Sequence, residues 1–103
     1  MSNLINLRTE ADLANIKGSR GFSVVEYMMP QCPACVYCKK GYAALAKKYP
    51  NAYFGSVNVL TANIAHARDI KGTPTFEVFR NGVLVKKIVG ADVSQVESAV
   101  QGK

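Results

Sequence analysis

Apolar and polar residues recur with two different periods along this chain. From Phe22 to Met29 the apolar run is nearly continuous, and Glu26 is its only charge. A run of that length suits a central strand covered on both faces. Downstream, Cys38, Tyr42, Leu45, Ala46 and Tyr49 follow one another at steps of 4, 3, 1 and 3. That is the repeat of a helix with one apolar stripe. Lys39, Lys40, Lys47 and Lys48 lie mostly off the stripe, Gly41 marks a candidate kink, and Pro50-Asn51 ends the helix.

The remaining segments fall into place around these two. Leu4 to Leu7 reads as a short strand. Thr9 is a helix N-cap with Asp12 three residues on, and Ala11, Leu13, Ala14 and Ile16 give that helix its apolar side before Gly18 stops it. Tyr53 to Val59 is a further strand, and Thr61 is expected to cap a short helix running to about Ile70. Gly72-Thr73-Pro74 breaks the pattern. Thr75 to Phe79 and Val83 to Val89 form a hairpin about the turn signal Asn81-Gly82. Gly90-Ala91 is another break, after which Asp92 with Gln95 caps a last helix carrying Val93, Val96, Ala99 and Val100. The order is β α β α β α β β α. Strands separated by helices imply parallel pairing, and the hairpin adds an antiparallel pair. The expectation is one α/β domain over residues 1–103, with a mixed central sheet flanked by helices on both faces.

Length and charge narrow the function. A chain of 103 residues is one small domain. No apolar run approaches the roughly 18 residues of a membrane span, and the first residues lack the basic and apolar regions of a secretory signal. Cytoplasmic location and no membrane association are therefore expected. The net charge of +6 is scattered, as on a solvated surface with at most a weak attraction for acidic partners. No basic run interleaves with aromatics, so nucleic-acid binding is not indicated.

All three cysteines fall within seven residues, Cys32 to Cys38. Such a cluster points to redox or metal chemistry rather than to a disulfide framework. Cys32 stands at a strand-to-helix junction, where unpaired N–H groups and the helix dipole favour a thiolate nucleophile. Pro33 fits the first helical turn, where a missing N–H costs nothing. Cys38 lies on the core-facing stripe and leaves three readings open: a small buried hydrophobe, a third redox thiol able to pair with Cys35, or a metal ligand. Three thiolates would hold zinc or an iron–sulfur cluster only with a fourth ligand. His66, the sole histidine, is expected at the surface of a distant helix. Glu26 is a carboxylate in a buried strand, costly unless neutral or paired. Strand alternation puts it on one side with Met28 and Pro30.

The Cys-x-x-Cys after the second strand, Gly72-Thr73-Pro74-Thr75, Phe79-Arg80-Asn81-Gly82 and Val89-Gly90-Ala91 together resemble the thioredoxin family over nearly the whole chain. The resemblance implies the thioredoxin fold and a thiol–disulfide oxidoreductase acting on protein disulfides. It implies that Cys32 attacks, that Cys35 resolves the mixed disulfide, and that Glu26, six residues before Cys32, takes a proton from Cys35. It implies a cis bond between Thr73 and Pro74, with the Thr73 backbone open to an extended substrate, and a substrate groove outlined by Gln31, Pro33, Thr73, Pro74, Gly90 and Ala91. Protein substrates and a separate reductase are the implied partners. No cofactor or metal is called for, and a monomer is expected.

The departures are specific. The chain has no tryptophan, Pro33-Ala34 stands between the cysteines in place of Gly-Pro, and Ser56 occupies the place of a lysine usual beside the buried acid. Thr73 replaces a residue that is commonly apolar, so its hydroxyl is expected near Cys32. The Cys-Pro-x-Cys order is more like glutaredoxins and tryparedoxins. A glutathione-linked enzyme is therefore one alternative. A metal-binding or scaffolding module using Cys32, Cys35 and Cys38 is another.

Overall fold

The computed structural model describes residues 4–102. Its centre is β2 (Phe22–Met28), whose interior residues Ser23 to Tyr27 are all buried. β2 lies parallel to β3 (Tyr53–Asn58) on one side and antiparallel to β4 (Thr75–Arg80) on the other. β1 (Leu4–Asn6) adds parallel to β3, and β5 (Val83–Val89) adds antiparallel to β4. The sheet order is β1-β3-β2-β4-β5. Three α-helices complete the fold: α1 (Glu10–Lys17), α2 (Pro33–Lys48) and α3 (Val93–Val100).

Two expectations need correcting. Residues 61–70 do not form an α-helix capped by Thr61. The backbone N–H groups of Thr61 and Ala62 instead close a turn onto the Asn58 carbonyl, and only Ala65–Asp69 winds, as a 3-10 turn without a side-chain cap. The second correction is the pairing of β4, which runs antiparallel to β2 rather than parallel to it. With no crossover helix between them, the chain leaves β3 and enters β4 at the same end of the sheet. Every other element appears within a residue or two of its expected place.

The core has two layers. On one face Cys38, Tyr42 and Leu45 of α2 and Val96 and Val100 of α3 pack on Val24, Phe54 and Phe76 of the sheet. On the other face Leu13 and Ile16 of α1, with Ile64 and Ala67, cover Val25, Tyr27 and Val57. Each fully buried aliphatic or aromatic side chain contributes about 1.5–3 kcal/mol, so this double layer is the main source of stability. The capping box of α1 is complete: Thr9 Oγ1 accepts the Asp12 N–H at 3.2 Å and Asp12 Oδ2 accepts the Thr9 N–H at 3.1 Å. Asp92 Oδ1 accepts the Gln95 N–H at 3.2 Å at the head of α3. Gly41 does not interrupt α2; its open side takes the Val93 side chain of α3. Among the described residues no helix is long and apolar enough to cross a membrane.

Candidate functional site

Three loops meet at the end of the sheet where β2 and β3 finish and β4 begins. After β2 the chain turns at residues 29–32, where the Cys32 N–H donates to the Met29 carbonyl at 3.2 Å. Cys32 is then the N-cap of α2. Its Sγ accepts the Cys35 N–H at 3.2 Å and its backbone carbonyl accepts the Val36 N–H at 3.0 Å. Pro33 occupies the first helical turn. A sulfur in a capping position meets N–H groups that have no intrahelical acceptor, which favours its anion.

The second loop brings Thr73 and Pro74, joined by a cis peptide bond. Cys32 Sγ lies 3.4 Å from the Thr73 carbonyl oxygen. The third loop closes on the second, since the Gly90 N–H donates to the Pro74 carbonyl at 2.8 Å. Gly90 has φ +109°, a left-handed backbone that side chains with a Cβ resist. Gln31 and Pro33 are exposed beside Cys32, Thr73, Gly90 and Ala91 are half-buried, and Pro74 is buried.

The two cysteines of the motif differ in acidity. Hydrogen bonds from the Cys35 thiol, then from Thr73, hold the Cys32 thiol below its ordinary range. Burial, then the bond it donates to Cys32, pushes the Cys35 thiol up. Cys32 retains 9% of its surface and Cys35 only 4%. The arrangement makes Cys32 the more acidic and slightly more exposed thiol, and Cys35 the less acidic and more sheltered one.

Glu26 lies behind this pair, 6% exposed, at the register position between Ser56 of β3 and Phe76 of β4. Its Oε1 accepts the Ser56 hydroxyl at 3.2 Å, and its Oε2 accepts the Cys38 thiol at 3.8 Å. Burial raises its pKa; the Ser56 and Cys38 hydrogen bonds and the Lys39 charge work against that rise. A cleft of about 450 Å³ between α2 and the β1–β3 edge is lined by both Glu26 and Cys35, with Met28, Val36 and Lys39 on its walls. Cys38 is 3% exposed among the α2 core residues, and its thiol is pushed up to about 11 by burial and by the Glu26 charge. All three cysteines are free thiols. Among the described residues no three His, Cys, Asp or Glu side chains are grouped to hold a metal ion.

Glu77 was not singled out by the sequence reading. It is 5% exposed on β4, on the sheet face opposite Glu26, and His66 Nε2 lies 2.9 Å from its Oε2. Tyr27 hydrogen-bonds the same carboxylate and meets the His66 ring edge-on at 5.4 Å. His66 is therefore a half-exposed partner of a buried acid rather than a plain surface residue. The signal available was the one that marked Glu26, a lone charge within an apolar strand.

A thioredoxin family model matches residues 4–101. A thioredoxin from Ophiophagus hannah is 30% identical over 92 residues, covering 88% of this chain and 86% of its own length. An H-type thioredoxin from Ricinus communis is 30% identical over 83 residues, covering 80% and 70%. The crystal structure of the reduced Schistosoma mansoni thioredoxin pre-protein superposes with a TM-score of 0.84 at 29% identity, covering 96% of each chain.

Proposed function

Because the chain belongs to the thioredoxin family of thiol–disulfide oxidoreductases, we propose that it reduces disulfides in protein substrates through Cys32 and Cys35. The observation that carries this reading is the position of Cys32, whose sulfur caps α2 and takes the Cys35 N–H while keeping 9% of its surface exposed against 4% for Cys35.

The Cys32 thiolate attacks one sulfur of the substrate disulfide. A mixed disulfide forms, and the other substrate sulfur leaves as a thiolate and is protonated by solvent. Cys35 then gives its proton to Glu26 by way of the cleft they share and attacks Cys32 Sγ. The Cys32–Cys35 disulfide forms and the second substrate thiol is released, so two electrons pass from the protein to the substrate. A separate reductase returns them. An extended substrate segment pairs with the Thr73 backbone, and Gln31, Pro33, Pro74, Gly90 and Ala91 shape the surface around it. A reducing compartment such as the cytoplasm suits three free thiols this close together. A monomer suffices, since both working thiols lie on one helix.

The test is turnover of a protein disulfide such as insulin, with dithiothreitol as electron source. Cys32→Ser is expected to abolish turnover. Cys35→Ser is expected to stop at a mixed disulfide visible by mass spectrometry. Parent-like turnover by Cys35→Ser would contradict the two-thiol mechanism.

A further inference from the structure

Glu26 is held at both ends of its carboxylate. Ser56 on β3 donates to Oε1 at 3.2 Å, and Cys38 on α2 donates to Oε2 at 3.8 Å, a length that suits the larger sulfur atom. The Cys38 thiol also lies 3.5 Å from the Cys35 carbonyl oxygen, one helical turn back. A role for Cys38 as filler for the core leaves this aim at a carboxylate unexplained. Cys38 is 3% exposed and its thiol is pushed up to about 11, so it is the protonated form that meets Glu26. Protonation is what a hydrogen-bond donor requires.

We propose that Cys38 is a positioning residue: with Ser56 it clamps the Glu26 carboxylate between α2 and β3, fixing the orientation and acidity with which that carboxylate faces the cleft it shares with Cys35. The inference rests on the assignment of Glu26 as proton acceptor in the reading above. Two neutral donors from different elements meet one buried acid, so the acid is oriented without a cation in contact with it. Among the described residues, the titratable and charged groups that face Glu26 are Cys35, Cys38, Lys39 and Tyr42, all on α2. β3 offers the Ser56 hydroxyl, β4 offers Phe76, and β1 offers no titratable side chain. Tyr42 is held neutral by burial, which leaves Lys39 as the facing cation.

The test is the titration of Glu26 in the reduced full chain, followed by NMR of isotope-labelled carboxyl carbons. It is run beside the pH profile of mixed-disulfide resolution. Cys38→Ala removes a donor to the charged form and is expected to move the Glu26 midpoint up by about half a pH unit or more. Cys38→Ser keeps a donor and is expected to restore the parent midpoint. A purely structural role would move the midpoint equally in both variants or in neither, and either result overturns the proposal. The acid limb of the resolution rate is expected to follow the midpoint. If the midpoint moves while the limb stays, Cys38 still positions Glu26, and it is the assignment of Glu26 as proton acceptor that fails.

Discussion

Cys35 stabilises Cys32 twice over, through its backbone N–H at 3.2 Å and through its thiol. The second cysteine of the motif therefore lowers the pKa of the first before any substrate arrives. Replacing Cys35 by Ala keeps the N–H and removes the thiol bond. Because that thiol is the largest influence lowering the Cys32 pKa, Cys35→Ala is expected to raise it. Less Cys32 is then ionised at neutral pH, and alkylation by iodoacetamide slows several-fold. The check is the alkylation rate against pH for the parent and the variant. An unchanged midpoint would assign the lowered pKa to Thr73 and the helix end instead.

Glu26 gives stability a dependence on pH with a definite sign. Its folded-state pKa is raised, chiefly by burial, so the folded state holds this proton more tightly than the unfolded chain. The benefit is complete below the ordinary carboxylate range and is lost as pH rises through the folded-state value. Glu26→Gln removes the buried charge. It is expected to raise Tm at neutral pH by about 3–8 °C, with the gap from the parent closing on acidification. Thermal melts of the two proteins across pH 3 to 8, on the order of the carboxylate and neutral ranges, measure this directly.

On the opposite face, Glu77 depends on a partner that itself reaches solvent. His66→Ala takes away the 2.9 Å contact and the edge-on packing against Tyr27, leaving the carboxylate with Tyr27. The expected cost is about 1–3 kcal/mol. A double-mutant cycle with Glu77→Gln, read by urea denaturation, isolates the pair, and a coupling near zero would remove His66 from the account.

Gly55 of β3 lies directly against the Leu7 side chain and against Ile16 of α1. A Cβ built there would lie 2.6 Å from Leu7 Cδ1 and 2.9 Å from Ile16 Cδ1. Both are side-chain ends that can shift, so Gly55→Ala is expected to cost about 1–3 kcal/mol rather than prevent folding. Chemical denaturation reports that loss, while Cys32 alkylation is expected to stay at the parent rate. Gly90→Ala makes the contrast. A Cβ there meets nothing within 4 Å, and its cost comes from the φ of +109° alone.

The sequence pattern was enough to place β2, α2, the hairpin and both capped helices, because each carries a local signal: a continuous apolar run, a helical stripe, an Asn-Gly turn, or a capping residue. It failed over residues 61–70. Ile64, Ala65 and Ala67 mimic a helical stripe there, but Ile64 and Ala67 are buried by a 3-10 turn held from β3 and α1. Long-range closure, including the Ala65 N–H bond to Glu10 Oε2 at 2.7 Å, decides that segment. In the site, Cys32, Cys35, Thr73 and Gly90 were legible as motifs. The Glu26–Cys38 and Glu77–His66 contacts were not, since each joins residues whose meeting depends on tertiary packing.

The two buried acids have a consequence for how the sheet assembles. In the folded pairing Glu26 stands opposite Phe76 and Glu77 opposite Val25, so the carboxylates occupy neighbouring positions on opposite faces. Sliding β4 along β2 by a single residue would set Glu26 directly against Glu77 on one face. Like charges so placed repel, and a one-residue slip carries every side chain of the strand to the wrong face. Ser56, Cys38 and His66 could no longer meet both acids. Glu26 and Glu77 together thus penalise a one-residue slip between the two central strands.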